Sequence, residues 1–135
     1  MEATLGFEVA LKSEADAAIE QVTAALKTEG FGVLTRIDVK ATLKEKIGAE
    51  FRPYVILGAC HPPTAYKALS ANPLVGLMLP CNVTVEAAPG GGSIVRIVNP
   101  EAMMSSGGME NDPAMKEVAG DAKARLLRVA AVLRK

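Results

Sequence analysis

The chain is poor in histidine and cysteine, from which soft-metal and imidazole sites are built. It has one histidine, His61, and two cysteines, Cys60 and Cys81, among 135 residues. No CxxC or HxxxH spacing occurs, so a structural zinc site would lack a ligand even if all three side chains met. Two cysteines make no disulfide framework, and free thiols are the default in a reducing compartment. Charge of one sign is also missing: 15 basic residues balance 15 acidic ones, leaving little net field to attract nucleic acid or anionic lipid. Long hydrophobic runs are absent. The longest, LVGLMLP, is far short of a bilayer span, and MEATLGFEVA has neither the basic region nor the long apolar stretch of a secretion signal. These absences lead to the expectation of a cytoplasmic protein that partners with neither membrane nor nucleic acid.

What is present is core-forming. Apolar residues make up 50% and charged residues 22%, the composition of a compact chain that can offset its ordering entropy. The length suits one domain, 1–135, and no repeat or linker interrupts it.

EATLGFEVAL alternates, with Ala3, Leu5, Phe7, Val9 and Leu11 on one face, as in a half-buried antiparallel strand. Ser13 is placed to cap a helix with Asp16 as the acid of a capping box, and Ala15, Ile19, Val22 and Leu26 recur at helical spacing up to Gly30. FGVLTRIDV predicts a second strand, after which Asp38 caps a short helix, KATLKEKI, ended by Gly48. YVILGAC, apolar on both faces, predicts a central strand covered on both sides. Pro62 or Pro63 suits the first turn of a short helix stopped at Asn72-Pro73, and LVGLMLP continues as a buried connection. NVTVEAA and SIVRIVNP, joined by PGGGS, predict a hairpin.

EAMMSSGGMEN lacks periodicity and predicts a mobile, methionine-rich loop over 102–111. Asp112 and Pro113 then open a long helix with the apolar stripe Met115, Val118, Ala122, Leu126, Val129 and Leu133. Without the short inserted helices the order is strand, helix, four strands, helix. It predicts an α+β fold with helices on one face of a curved antiparallel sheet. The other face is expected to carry Leu34, Val55, Leu57, Ile94 and Val98 among Arg36, Arg96, Glu8 and Glu86. Such a face would be covered by the inserted helices or by the second subunit of a homodimer.

The segments GFGVLTRIDVKATL, RPYVILGAC and LPCNV, in this order and spacing, resemble the bacterial and archaeal family known as domain of unknown function 302. The resemblance spans essentially the whole chain. It implies a TATA-binding-protein-like topology and a homodimer, and it supplies no activity. The family's motif cysteines match Cys60 and Cys81, and its LPCN motif matches Pro80 and Asn82. Where this chain has His61 the family more often has asparagine, which weakens any mechanism requiring an imidazole.

If YVILGAC and CNVTVEA are antiparallel neighbours, Cys60 and Cys81 meet at the strand ends. A cross-strand Cα separation of roughly 4.5 to 5.5 Å leaves open a disulfide, a shared soft metal ion or an ordinary thiol pair. Cys81 shares parity with Val83 and Val85 and is expected to be buried with a raised pKa, whereas Cys60, ahead of a proline-started helix, is the better candidate for a reactive thiol. A soft ion such as Cu(I) accepts thiolate and thioether, but nothing in the sequence brings Met103, Met104 or Met109 to the cysteines.

Plainer readings stand beside these. The cysteines pack as small core residues, the histidine caps a helix, the methionines fill gaps, GGG at 90–92 is a hairpin turn without a phosphate-binding helix, and Lys40, Lys44 and Lys46 form a solvated face. The expected site is Cys60, Cys81, His61 and Asn82, in a dimeric binding or sensing module for a small molecule or a soft metal ion. Two alternatives remain: a thiol redox protein or enzyme with Cys60 as nucleophile and Cys81 as resolving thiol, and a structural or interaction dimer whose cysteines only pack. Ligand, cofactor and metal are left open.

Overall fold

The computed structural model describes residues 5–105 and 107–135. Five strands form one antiparallel sheet in the order β1-β5-β4-β3-β2: β1 Gly6–Leu11, β2 Gly32–Asp38, β3 Tyr54–Cys60, β4 Cys81–Ala87 and β5 Ser93–Val98. Two long helices, α1 Ala15–Thr28 and α5 Pro113–Leu133, cover one face, and α2 Val39–Ile47, α3 Pro62–Ala71 and α4 Pro100–Met103 are short insertions. The α+β class and the order strand, helix, four strands, helix agree with the periodicities. No helix among the described residues is long and apolar enough to cross a membrane.

Alternation builds the main core. Val9, Leu57, Val83, Val85, Val95 and Ile97 from the sheet meet Ile19, Val22, Leu26, Leu126 and Val129 from the two helices. Residues opposite one another in an antiparallel ladder share a face. Val55 lies opposite Val85 and Leu57 opposite Val83, so both point to the helices and not, as expected from the sequence, to the outer face. That outer face does carry Ile94 and Val98, set among charged side chains. Glu86, only 4% exposed, accepts from Arg52 Nε at 2.5 Å and from Arg96, and Arg96 also reaches Glu8 at 3.2 Å.

β3 is an interior strand, paired with β4 on one side and β2 on the other. Its outer side is only partly covered, with Ile56 half-buried. Gly58 is the close approach there, because a Cβ would lie 2.7 Å from Pro80 Cγ and would also strike Thr35. Leu34 sits where the β2 register shifts between Val33 and Thr35 and is 67% exposed.

Asp38 accepts from the Ala41 N–H at 2.9 Å and Asp112 from that of Ala114 at 2.9 Å, so both caps form as the sequence predicts. Ser13 does not cap α1. The cap position is Glu14, whose carboxylate instead accepts the Gly92 N–H of the β4–β5 hairpin at 2.9 Å, while the Ser13 hydroxyl donates to Gln21. Of the first-strand residues, Ala3 lies outside the described residues and Leu5 is exposed.

The connection LVGLMLP, 74–80, is not a buried run. Most of it lies in a 3₁₀ turn, Pro73–Met78, in which side chains three apart align. Val75 and Met78 therefore turn inward while Leu74 and Leu77 face out. The segment read as a mobile loop is also partly built: Asn99 caps α4 by accepting the Glu101 N–H at 3.1 Å, and a second 3₁₀ turn spans Met109–Asn111. Met104 and Met109 are buried with Ala68, Val75, Met115, Val118 and Ala119 in a second, smaller cluster. Position 106 lies outside the described residues.

Candidate functional site

The ends of β3 and β4 adjoin, but not in the pairing expected. Cys81 lies opposite Ala59, and Cys60 is one residue further along, opposite Gly32 of β2. The two cysteines are thus offset by one position, with Cys60 half-buried, Cys81 buried and both thiols free. They still reach one space, because the sheet ends there. A cleft of about 250 Å³ opens between the strand ends and α3, α4 and α5, and Cys60, Cys81, His61 and Met104 all line it. The rest of its wall is almost wholly hydrocarbon, including Phe31, Leu79, Pro80 and Val118. Asn82 is not brought to this cleft. One residue beyond Cys81 on a pleated strand, it points to the opposite face, is exposed, and borders a hollow beside Tyr54 and Arg96.

Burial, and secondarily the neighbouring Cys60, pushes the Cys81 thiol up to about 11, as expected for a sulfur in apolar surroundings. Cys60 precedes α3, yet that helix start offers it little. Pro62 and Pro63 have no N–H, the Thr64 N–H is taken by His61 Nδ1 at 3.4 Å, and the Ala65 N–H by the His61 carbonyl at 3.0 Å. No donor of the first turn is left to hold a thiolate.

His61 is the N-cap of α3. Its Nδ1 accepts from Thr64, so its own proton sits on Nε2. The ring lies against Phe31, centroids 5.4 Å apart. At Gly30, with φ of +81°, a Cβ would stand 2.9 Å from His61 Cδ2, so the imidazole has its place because that position has no side chain. Burial first, and then the Arg125 guanidinium, hold the imidazole below its ordinary value against the opposing pull of Asp121 and Glu29. The ring is therefore neutral at pH 7. Behind it a second hollow of about 300 Å³ is charged, with Lys67, Glu117, Asp121 and Arg125 on its wall. His61 separates a sulfur-lined apolar cleft from this polar one.

Chemically, the arrangement offers two thiols, one thioether and an apolar enclosure, with a neutral imidazole at the rim. Among the described residues no three His, Cys, Asp or Glu side chains come together as a metal cluster. Sequence reasoning did not bring Met104 to the cysteines and missed Phe31. Phe31 carries a signal in hindsight, because it immediately follows Gly30 and is apolar where a helix has just ended. Met104 carries none, since a tertiary contact alone brings it to the cysteines.

An open five-stranded antiparallel sheet with helices on one face, and a cysteine-lined cleft at the strand ends, defines a small α+β protein. The profile of the family described as domain of unknown function DUF302 matches residues 7–133. The crystal structure of an uncharacterized conserved DUF302 protein from Bacillus stearothermophilus is similar at 37% identity and a TM-score of 0.85, covering 98% of this chain and 100% of that one. No curated protein matches the chain. The chain belongs to the DUF302 family, a kinship that brings a fold and no established function.

Proposed function

We propose that residues 1–135 form one domain that acts as a small cytoplasmic, homodimeric binding or sensing module, with its ligand in the cleft at Cys60 and Cys81. The observation that carries this reading is the cleft itself: a concave, mostly apolar space with a few convergent polar or polarisable groups is the ordinary form of a small-ligand site. The strand order is assigned with it to the TATA-binding-protein-like type, supported by the order strand, helix, four strands, helix. The homodimer is supported by Tyr66 of α3 and by Leu74 and Leu77 of the 3₁₀ turn that follows it, which stand 76%, 58% and 86% exposed and are large apolar side chains that a partner surface would cover. Light scattering that gives a monomer mass across micromolar concentrations removes the dimer.

The test of the ligand reading is a mass-spectrometric inventory of metals and small molecules on the native protein, purified anaerobically without chelator. A stoichiometric ligand is expected, and Ala65→Leu, which fills the cleft from α3, should lose it. An empty wild-type protein, or an unchanged ligand in the variant, overturns the reading.

One observation favours a second reading. Cys60 is the accessible thiol and Cys81 the buried one beside it, the order in which a nucleophile and a resolving thiol are arranged. In that case Cys60 attacks a substrate disulfide, releasing one thiol, and Cys81 displaces the second to leave a Cys60–Cys81 disulfide. Rapid alkylation of Cys60 by iodoacetamide at neutral pH, together with a two-electron oxidised form bridging both cysteines, supports it. Slow alkylation and no intramolecular bridge exclude it.

A further inference from the structure

We propose that Cys60, Cys81 and Met104 together form a site for one soft monovalent cation, Cu(I), with two thiolate sulfurs and one thioether sulfur as its ligands. This deepens the reading of the cleft as a ligand site and rests on it.

The sulfurs come from three separate places in the chain: the end of β3, the start of β4 and the residue that ends α4. The fold brings all three residues to one small cleft. Of the methionines in the segment between β5 and α5, only Met104 lines it. Met103 packs in the second apolar cluster, and the Met109 sulfur accepts from Asn72 Nδ2 at 3.6 Å.

The other wall residues decide between ions. Among the described residues that line the cleft none is a carboxylate, so a hard cation such as Mg²⁺ or Ca²⁺ finds no oxygen ligands. Zinc requires a fourth strong ligand. The imidazole does not supply it, because Nδ1 is committed to Thr64 and the Nε2 edge lies over Gly30. Cu(I) is the first-row ion that prefers thiolate and thioether and is content with few ligands.

Loading is an exchange of protons for metal with no electron transfer: Cu⁺ displaces the proton of each thiol, two protons leave to solvent, and copper remains Cu(I). Among the described residues, no Asp, Glu, Lys or Arg side chain lines the cleft. Its apolar wall also keeps water and oxygen-donor ligands from competing for the ion.

The reduced full-length protein, titrated anaerobically with Cu(I) against bathocuproine disulfonate, is expected to withhold one equivalent from the chelator. Met104→Leu should weaken that retention by at least roughly tenfold, the lower end of what losing even an outer-shell partner of a ligand costs, while leaving the unfolding midpoint close to wild type. Cys60→Ser should weaken it further. X-ray absorption at the copper edge should show sulfur neighbours alone. Release of all copper by wild type, retention unchanged in Met104→Leu, or a nitrogen ligand at the copper overturns the proposal. If Cys81→Ser fails to fold, the Cys60 and Met104 variants still decide it. Should wild type release its copper yet carry an organic molecule that Ala65→Leu loses, the metal assignment falls and the cleft stands. If neither is bound, both fall.

Discussion

The two apolar clusters of the molecule are built from different side chains. Beneath the sheet, Val83, Val85, Val95, Ile97 and Leu57 are sealed off by Val22, Leu26 and Val129, and the β-branched valines and isoleucine among them are restricted at χ1. Beside the cleft the cluster is Met104, Met109 and Met115, with Ala68, Val75, Val118 and Ala119. Helix α5 belongs to both: Met115, Val118 and Ala119 of its first half lie in the methionine cluster, and Leu126, Val129 and Ala130 of its second half lie under the sheet. One rigid helix thus ties a stiff core to an adaptable one, because unbranched thioethers repack at small cost where branched aliphatics do not. Adaptability collects where the cleft is.

The strongest way to break this contrast is to cut into each cluster. Leu57→Ala should cost about 3 kcal/mol, within the usual range for a fully buried leucine, whereas Met115→Leu should cost less than about 1.5 kcal/mol. Urea unfolding of both variants measures the difference. Equal losses would mean that the methionine cluster is packed as tightly as the sheet core.

A smaller contrast is expected between the cysteines. Cys81 is buried among apolar groups, so Cys81→Ser buries a hydroxyl with no assured partner and should cost about 1 to 3 kcal/mol. Cys60 is half-buried at a strand end, and Cys60→Ser should stay within about 0.5 kcal/mol of wild type. Denaturant unfolding under reducing conditions compares them, and equal large losses would make both cysteines core residues and nothing more.

On the outer face, the Glu86 carboxylate is held below the ordinary range, first by its hydrogen bond to Arg52 and then by that to Arg96. A depressed carboxylate contributes stability that is present above its unfolded value and is lost as pH falls toward the folded one. Wild type should therefore lose stability below about pH 4.3, and Glu86→Gln should flatten part of that loss. Unfolding midpoints at pH 6 and pH 3.5 check it, and parallel curves for the two proteins would count against a role for Glu86.

Much of this was legible in the sequence, and the failures have physical causes. Period 2 in residues 7–11 and 83–87 and period 3.6 in 113–133 reveal the sheet and the long helices because one-sided burial imposes those repeats locally. Asp38 and Asp112 announce their helices because a cap acts within three residues. The facing of Val55 and Leu57 was misread because YVILGAC is apolar on both sides, so alternation cannot say which side meets the helices; only the register with Val83 and Val85 decides. Met104 could not be placed from sequence at all. Its position depends on α4 and a 3₁₀ turn in a segment without periodicity, packed by contacts distant along the chain. Cys60 and Cys81 were recognisable as neighbours, but their one-residue offset is again a matter of register.

The smallest effect expected is also the one that a single residue isolates. His61 is the only histidine, and in the folded protein burial, followed by Arg125, lowers its pKa. Below the unfolded value the unfolded chain takes up a proton more readily than the folded one, so stability falls as pH drops through about 6.5 and levels off below the folded pKa. Histidine is the side chain whose ordinary pKa falls in roughly the pH 5 to 7 window. His61→Asn keeps a capping side chain for α3 and removes the titrating group. Its unfolding midpoint should be flat between pH 7 and pH 5, while that of wild type declines. If both proteins show the same slope, the imidazole is no more burdened in the fold than in the unfolded chain, and its place between the sulfur-lined cleft and the charged hollow has no electrostatic consequence.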